Sequence, residues 1–478
     1  MEDLPVPAPM LSRRQLLGTA SAAAAAAALP VTFAPRAQAQ AARSSILGEF
    51  EGFERSVGNA LKFVNQMMDA YATGSTIRLT QSYSDGGLES TAFTYDNAVL
   101  IHAYLAAGDA DSLARAKVLG QGLLYAQANN FPAADGRFAQ AYFVNTAASG
   151  VYITPAAFPF YFYTSSVGDQ CWAGMALAQL YKRTGASQFL AGAVAVANWI
   201  VVNHYDTLGP GGFRWGTAIN QYNQSVPSTN GKSTEHNIDC FGFFTMLHHL
   251  THGGSATGGM TWAELAEHAL QFLQVMYNPS GPFFYVGTQG DQITINTAPT
   301  PEDCQTWSYL ALLNNSYKHT IDWALGHLRA TDTATSPNSQ LTGSETITGL
   351  VFDTASLTTT LPGADPSAVW LEGTAHTACA LIARILRGSD SFAAILSDIE
   401  SVGKLLSNCV LAQSNLGAGQ TVGGAAIPLG RGLVAATSTM DTGFGYTYGQ
   451  SLHIGATGWY LLAGFAANPY QLGYRIVG

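Results

Sequence analysis

Apolar residues recur along this chain at steps of three and four, in paired helix-length stretches separated by glycine-bearing stops. From Thr94, residues Ala98, Ile101, His102 and Leu105 share one face, and Gly108-Asp109 ends the run. Residues 111–127 then carry Leu113, Ala116, Leu119, Leu123 and Leu124 as a partner helix. The same couplet returns at 171–183 with 188–203, at 236–250 with 262–277, at 304–314 with 317–328, and at 372–387 with 391–411. An opening helix over 49–72 and a closing one over 452–466 bring the expectation to twelve helices in six pairs. The first helix of each pair opens on polar, carboxylate-bearing or aromatic residues. These openings start at Thr94, Asp169, Thr234, Glu302, Trp370 and Ser451. Their period of about 70 residues is too long for a short solenoid unit and suits a two-helix hairpin with elaborated loops. If each opening starts an inner helix of a ring, the six polar clusters converge on one end of it.

Between the helices, 76–83, 283–286 and 292–296 alternate in the manner of strands, the last two around the turn Gln289-Gly290-Asp291. Residues 139–162 are aromatic-rich and too irregular for a helix. The stretch from Gly417 to Gly432 is glycine-rich and reads as a cover over the cleft or as a passive surface loop.

Six helical hairpins resemble the (α/α)6 toroid, the six-hairpin architecture of many glycoside hydrolases, several polysaccharide lyases and the N-acylglucosamine 2-epimerases. The resemblance spans the chain from residue 40 to 478 and is one of architecture. It implies an all-α domain, an (α/α)6 toroid of six helical hairpins with small β-hairpin and loop insertions at the cleft rim. It also implies a carbohydrate substrate. Fold alone does not choose the reaction, so the residues must.

Residues 1–39 read as an address. Ser12-Arg13-Arg14-Gln15-Leu16-Leu17 is a twin-arginine pattern, an alanine-rich stretch follows, and Ala37-Gln38-Ala39 is a cleavage motif, so export to a periplasm or beyond is expected. Thr19, Ser21, Pro30 and Thr32 interrupt the alanine-rich stretch, and no later run is long enough to span a membrane. The net charge of −10 argues against nucleic acid, which needs a basic face. Charged and aromatic residues each make up 11%, as in a large buried enzyme rather than a disordered chain. The five cysteines, Cys171, Cys240, Cys304, Cys379 and Cys409, form no C-x-x-C pair. They read as small buried packing residues, with a disulfide among the first three as the alternative. His248, His249 and His252 sit at a helix end before Gly253-Gly254, where C-terminal capping outweighs a metal site. No metal or cofactor is expected, and oligomeric state is not legible.

Glycoside cleavage needs one carboxylic acid to protonate the leaving oxygen and a second carboxylate as base or nucleophile. The run Ser233-Thr234-Glu235-His236-Asn237-Ile238-Asp239 holds more polar groups than an N-cap requires, which makes Glu235 the first candidate acid. Glu372, between Trp370 and Gly373, is the first candidate base, with Asp96 and Asp303 in reserve. For each of these the bland alternative is a helix-start acid favoured by the helix dipole. Tyr95, Asn97, Trp172, Arg214, Trp215, His236, Asp239, Trp307, Trp370, His376 and Tyr446 are the candidate substrate contacts: rings for stacking, polar groups for hydroxyls. The epimerase branch of the resemblance implies paired histidines instead, from His236, His376 and His453. The lyase branch implies a His or Tyr base with Asn or Arg, supplied by Tyr95 with Asn97 or His236 with Asn237. The carboxylate-rich openings disfavour an acidic substrate. The expectation is therefore an exported glycoside hydrolase acting on a neutral polysaccharide or oligosaccharide, with a β-glucan as one case and inversion implied by the resemblance. A polysaccharide lyase, or a non-catalytic glycan-binding scaffold of an exopolysaccharide system, is the alternative.

Overall fold

The structure is a computed structural model that describes residues 36–86, 88, 90–144, 164–220, 224–228, 230–387 and 391–474, with side chains from Gly52 onward. The twin-arginine pattern and most of the aromatic-rich 139–162 stretch lie outside the described residues. Six helices form an inner ring: α2 (Thr94–Ala107), α4 (Val167–Thr184), α6 (Thr234–Leu250), α8 (Asp303–Leu312), α10 (Leu371–Arg387) and α12 (Ile454–Gly464). Each packs on the next, and α12 closes the ring against α2. The outer belt is α3 (Ala110–Ala128), α5 (Ser187–His204), α7 (Trp262–Met276), α9 (Thr320–His327), α11 (Phe392–Asn415) and α1 (Arg36–Met68). Because α1 packs on α12, the two ends of the chain form the sixth hairpin together. The expected cleavage motif Ala37–Ala39 falls within the first turn of α1.

Sequence pattern accounts for the two layers. Inner helices are buried nearly all round, as α4 is from Val167 to Leu180, so they carry few charges beyond their first turns. Outer helices keep one apolar face and are capped to solvent. Asp109 caps α3, Ser391 caps α11, and Thr261 with Glu264 forms a capping box at α7. Gly174 lets α4 and α6 approach closely, since a Cβ there would lie 2.2 Å from the Phe243 ring.

The bore of the ring is filled. Trp172, Trp307 and Trp459 pack with centroids 5.2–5.7 Å apart, and Tyr95 and Tyr470 join them. From the far end, the C-terminal segment lies across the inner-helix C-termini. Asn468 donates to Leu310 O at 2.8 Å, Gln179 to Gln471 O at 2.8 Å, and His102 Nδ1 meets Tyr474 OH at 3.0 Å.

Short antiparallel hairpins decorate the loops. β1 (Thr91–Phe93) pairs with β2 (Ala141–Phe143), and β3 (Ser165–Ser166), β4 (Gly216–Ile219) and β5 (Ser225–Pro227) form a three-stranded sheet. β6 (Tyr277–Asn278) pairs with β7 (Phe283–Phe284), and β8 (Gly287–Thr288) with β9 (Ile295–Asn296). β10 (Arg329–Thr333) pairs with β11 (Thr346–Leu350), β12 (Thr421–Val422) with β13 (Ala425–Ala426), and β14 (Met440–Asp441) with β15 (Thr447–Tyr448). The alternating 76–83 stretch forms no ladder; only Tyr83 pairs, as an isolated bridge to His453. Its alternation serves packing instead, with Arg78 and residues 79–82 buried. The glycine-rich loop is pinned by Asp85, which accepts from Thr421 Oγ1 at 2.9 Å and from the Gly423 and Gly424 amides at 3.1 and 2.9 Å. In the fourth hairpin, Leu313 turns left-handed (φ 45°) and ends α8 two residues early. Among the described residues no helix is long and apolar enough to cross a membrane.

Candidate active site

All six inner helices begin at the same end of the ring, and each brings an acid or an imidazole there. Asp96 comes from α2, Asp169 from α4, Glu235 and Asp239 from α6, Asp303 from α8, Glu372 from α10, and His453 from the residue that caps α12. Helix starts expose backbone N–H groups and so favour anions. Burial opposes this, and its magnitude decides the outcome for most of them.

Among the described residues, no cation weighs on the acids of the arc on α4, α6 and α8. Glu235 is part-exposed, yet burial raises its carboxyl well above the usual range, and the nearby Asp303, Asp239, Asp169 and Glu372 raise it further. Burial pushes Asp303 up to about 6, against the pull of the Cys304 amide at 2.5 Å. Asp169 is pushed up to about 7 by burial, partly offset by the Ser166 hydroxyl at 2.6 Å. Asp239 is fully buried and is likewise raised well above its usual range, although Tyr470 OH donates to it at 2.6 Å. Ser233 caps α6 by accepting from His236 N at 3.3 Å, so capping makes no use of the Glu235 carboxyl.

The arc on α2, α10 and α12 holds an imidazole between two acids. His453 Nε2 lies 3.1 Å from Asp96 Oδ2, and its Nδ1 lies 3.6 Å from Glu372 Oε2. Burial alone would lower this imidazole, but Asp96 and Glu372 outweigh it and raise its pKa. Tyr95 OH donates to Glu372 Oε1 at 2.5 Å and itself accepts from Trp459 Nε1 at 2.8 Å. Burial lifts Glu372 to about 7 even so, with His453 and Tyr95 holding it down. Tyr83 stacks flat on His453, with centroids 4.3 Å apart.

The other expected residues fall into three places. Tyr446, 40% exposed, stands at the rim near Glu235, Asp303 and Glu372. Trp215 is part-exposed, and its carbonyl meets His236 Nδ1 at 3.1 Å beside Glu235. Burial lowers His236 to about 4, so this ring is neutral. Trp172, Trp307 and Trp370 are buried at 1%, 3% and 3% exposure, and so form the floor and wall rather than open stacking faces. Asn97 is internal, bonded to Thr80 N and O and to Phe93 O. His376 is internal too, with Nδ1 3.1 Å from Glu302 Oε2. Burial holds His376 far below and Glu302 far above their usual values, so this is a neutral hydrogen-bonded brace between α10 and α8. Arg214 lies away from the carboxylates, paired with Asp206 at 3.6 Å and donating to Asn203 O at 2.5 Å. Asp206 also receives Lys232 Nζ at 3.3 Å, so this acid gathers both cations away from the cleft.

Sequence reasoning missed Tyr83 and Tyr448 as site residues, named Asp169 only as a helix opening, and offered His453 only as an epimerase-type histidine. Tyr448 stacks on Trp370 at 6.2 Å and alternates with Tyr446, a pattern visible in Tyr446-Thr447-Tyr448. Tyr83 carries no such signal, because only the fold brings it to His453. All five cysteines are free and buried, with Cys171 and Cys240 sulfurs 3.6 Å apart. Among the described residues no group of three or more His, Cys, Asp and Glu side chains has the geometry to hold a metal ion.

Solved structures share this architecture. A family 76 glycoside hydrolase from a bovine Bacteroides thetaiotaomicron strain matches with a TM-score of 0.51 at 14% identity, covering 87% of this chain and 76% of its own. An unsaturated glucuronyl hydrolase from Streptococcus agalactiae matches at 0.52 and 12%, covering 87% and 91%. The cellobiose 2-epimerase from Spirochaeta thermophila matches at 0.53 and 13%, covering 85% and 95%. The fold is the (α/α)6 toroid. No family model and no curated protein matches the chain in sequence. At these identities the toroid is what is shared, and the chemistry rests on the residues at its mouth.

Proposed function

We propose that this chain is an exported glycoside hydrolase acting on a neutral oligo- or polysaccharide. Glu235 is the proton donor and Asp303 the carboxylate that acts as base or nucleophile. One observation carries the reading: Glu235 is the part-exposed member of a crowded, cation-free arc, and Asp303 is the charge that weighs on it most. The charge on Asp303 opposes ionisation of Glu235, so one proton stays on Glu235 while Asp303 carries the charge. Such a split between neighbouring carboxyls gives the acid and base roles that glycoside cleavage needs. The opposite arc, with Asp96, His453, Glu372 and Tyr95, offers fixed donors and acceptors for sugar hydroxyls.

Two observations bear on the rivals of hydrolysis. His453 lies between Asp96 and Glu372 and His376 is bonded to Glu302, so neither is a free base for epimerisation. Arg214 is paired with Asp206, away from the carboxylates. Toroid neighbours include glycoside hydrolases and a sugar epimerase alike, which supports a carbohydrate substrate. The twin-arginine pattern supports export.

The test is a panel of neutral and acidic polysaccharides treated with the purified protein and with Glu235→Gln. Reducing ends and ultraviolet absorbance are read together. New reducing ends without new absorbance, lost by about a thousandfold in the variant, are expected. An absorbing product would identify a lyase, and undiminished activity in Glu235→Gln would remove Glu235 from the chemistry.

A further inference from the structure

The hairpin β14–β15 has more exposed apolar surface than its size explains. Phe444 is 46% exposed and Tyr446 40%, neighbours on one turn at the cleft mouth. Aromatic rings left open to water are costly unless something covers them in use.

The turn is built to hold those rings still. Thr442 N and Oγ1 both donate to Tyr446 O, at 3.2 and 2.8 Å, and Gly443 N donates to Asp441 Oδ1 at 3.0 Å. Thr359 Oγ1 ties Asp441 to the neighbouring loop at 2.6 Å. Gly443 is left-handed (φ 72°), and a Cβ there would lie 2.9 Å from both the Asp353 carboxylate and Ala355 Cβ, so the turn is pressed against that loop. Beneath it, Phe352 is 8% exposed and meets Phe444 and Tyr446 edge-on, at 6.0 and 6.3 Å with interplanar angles of 77° and 74°. Edge-to-face packing fixes both rings while leaving area for a further partner.

Position supplies the partner's chemistry. Tyr446 meets Tyr448 edge-on at 5.7 Å, and Tyr448 stacks on Trp370, two residues before Glu372, so this platform continues the carboxylate cleft outward. A ligand spanning both must offer hydroxyls to the carboxylates and an apolar face to the rings. A neutral sugar chain does both at successive residues.

We propose that Phe444 and Tyr446 form a stacking platform for a sugar residue beyond the cleavage point, so the substrate is a glycan chain rather than a disaccharide. This rests on the carbohydrate reading of the carboxylate cleft. The platform binds substrate and transition state alike, so its loss acts on affinity and not on turnover.

The experiment measures binding and kinetics separately. Affinity electrophoresis of Glu235→Gln, alone and combined with Phe444→Ala, is run in soluble β-glucan, α-mannan and xylan, with polygalacturonate as the charged control. On the retained polysaccharide, Phe444→Ala is expected to weaken binding about tenfold. In the otherwise unaltered protein, it is expected to raise KM for long chains with kcat unchanged, and to leave a disaccharide-sized substrate unaffected. Phe444→Trp restores binding if stacking is the cause, which separates this from a misfolded turn. Equal retention of the Phe444→Ala and parent proteins overturns the platform, as does equal loss on short and long substrates. Retention of none of the four polysaccharides overturns it as well. Phenylalanine-dependent binding without any hydrolysis keeps the platform and overturns the hydrolase reading.

Discussion

The two arcs of the cleft, one with two acids and the other with four, hold them in different surroundings. Around Asp96 and Glu372, the His453 ring and the Tyr95 phenol stand as partners, and they hold Glu372 lower than burial alone would. Around Glu235, Asp303, Asp169 and Asp239, the neighbours are mostly further carboxyls, and burial drives protons onto them. Acids at equivalent helix starts therefore sit in different surroundings, because His453 stands between the acids of one arc while those of the other have chiefly each other. The arc of His453 suits binding, and the arc of Glu235 suits proton transfer.

The sharpest way to break this contrast is to neutralise one acid from each arc. Asp303→Asn is expected to lower kcat by about a thousandfold, the scale of a lost acid–base group. Glu372→Gln should cost roughly ten- to a hundredfold, chiefly in kcat/KM, as a lost hydroxyl contact would. The reverse order in steady-state kinetics would exchange the roles of the two arcs.

Removing the imidazole comes next. His453→Gln leaves Asp96 and Glu372 buried without their shared partner, which typically costs about 3–5 kcal/mol when one partner of a buried pair is removed. Thermal melting should show a fall in Tm well beyond that of Glu235→Gln, which is expected to melt at or above the parent. A His453→Gln protein as stable as the parent would mean that the imidazole is a spectator.

The smallest expected effect is on the pH dependence of stability. Raised folded-state carboxyl pKa values mean that the native chain keeps protons which the unfolded chain has released. Their stabilisation is complete below about 4 and fades as pH rises through about 6 for Asp303 and about 7 for Asp169 and Glu372. Tm should therefore fall by a few degrees between about pH 5 and about pH 8, and less steeply in Glu235→Gln. Activity should fall on the acid side near 6, as Asp303 takes up its proton. A flat melting profile would show the acids of the Glu235 arc to be ordinary surface groups.

Much of this architecture was legible because inner helices combine long apolar runs with polar first turns. That pairing located five of the acids at the mouth, from Asp96 to Glu372, and the ring follows from six such openings. What pattern could not show is which way each side chain turns within a helix start. Asn97 shares the first turn of its helix with Tyr95 yet faces inward, and Asp239 lies one helical turn below Glu235, where the cleft gives way to core. His376 was drawn to Glu302 by a partner far away in sequence. Arg214 was drawn to Asp206 from the preceding loop. Tyr83 reaches His453 only because the chain's two ends meet in the sixth hairpin, a contact no local signal encodes.

The stopped bore has one more consequence. A torus with an open hole lets a thread be reeled through, entering at one side and leaving at the other. Here three tryptophans and the C-terminal strap cork the passage, so the torus is a bowl with a single lip. On the proposed hydrolase reading, a fragment released at the bottom retreats past the rim that admits the next strand, and departures compete with arrivals for the same doorway.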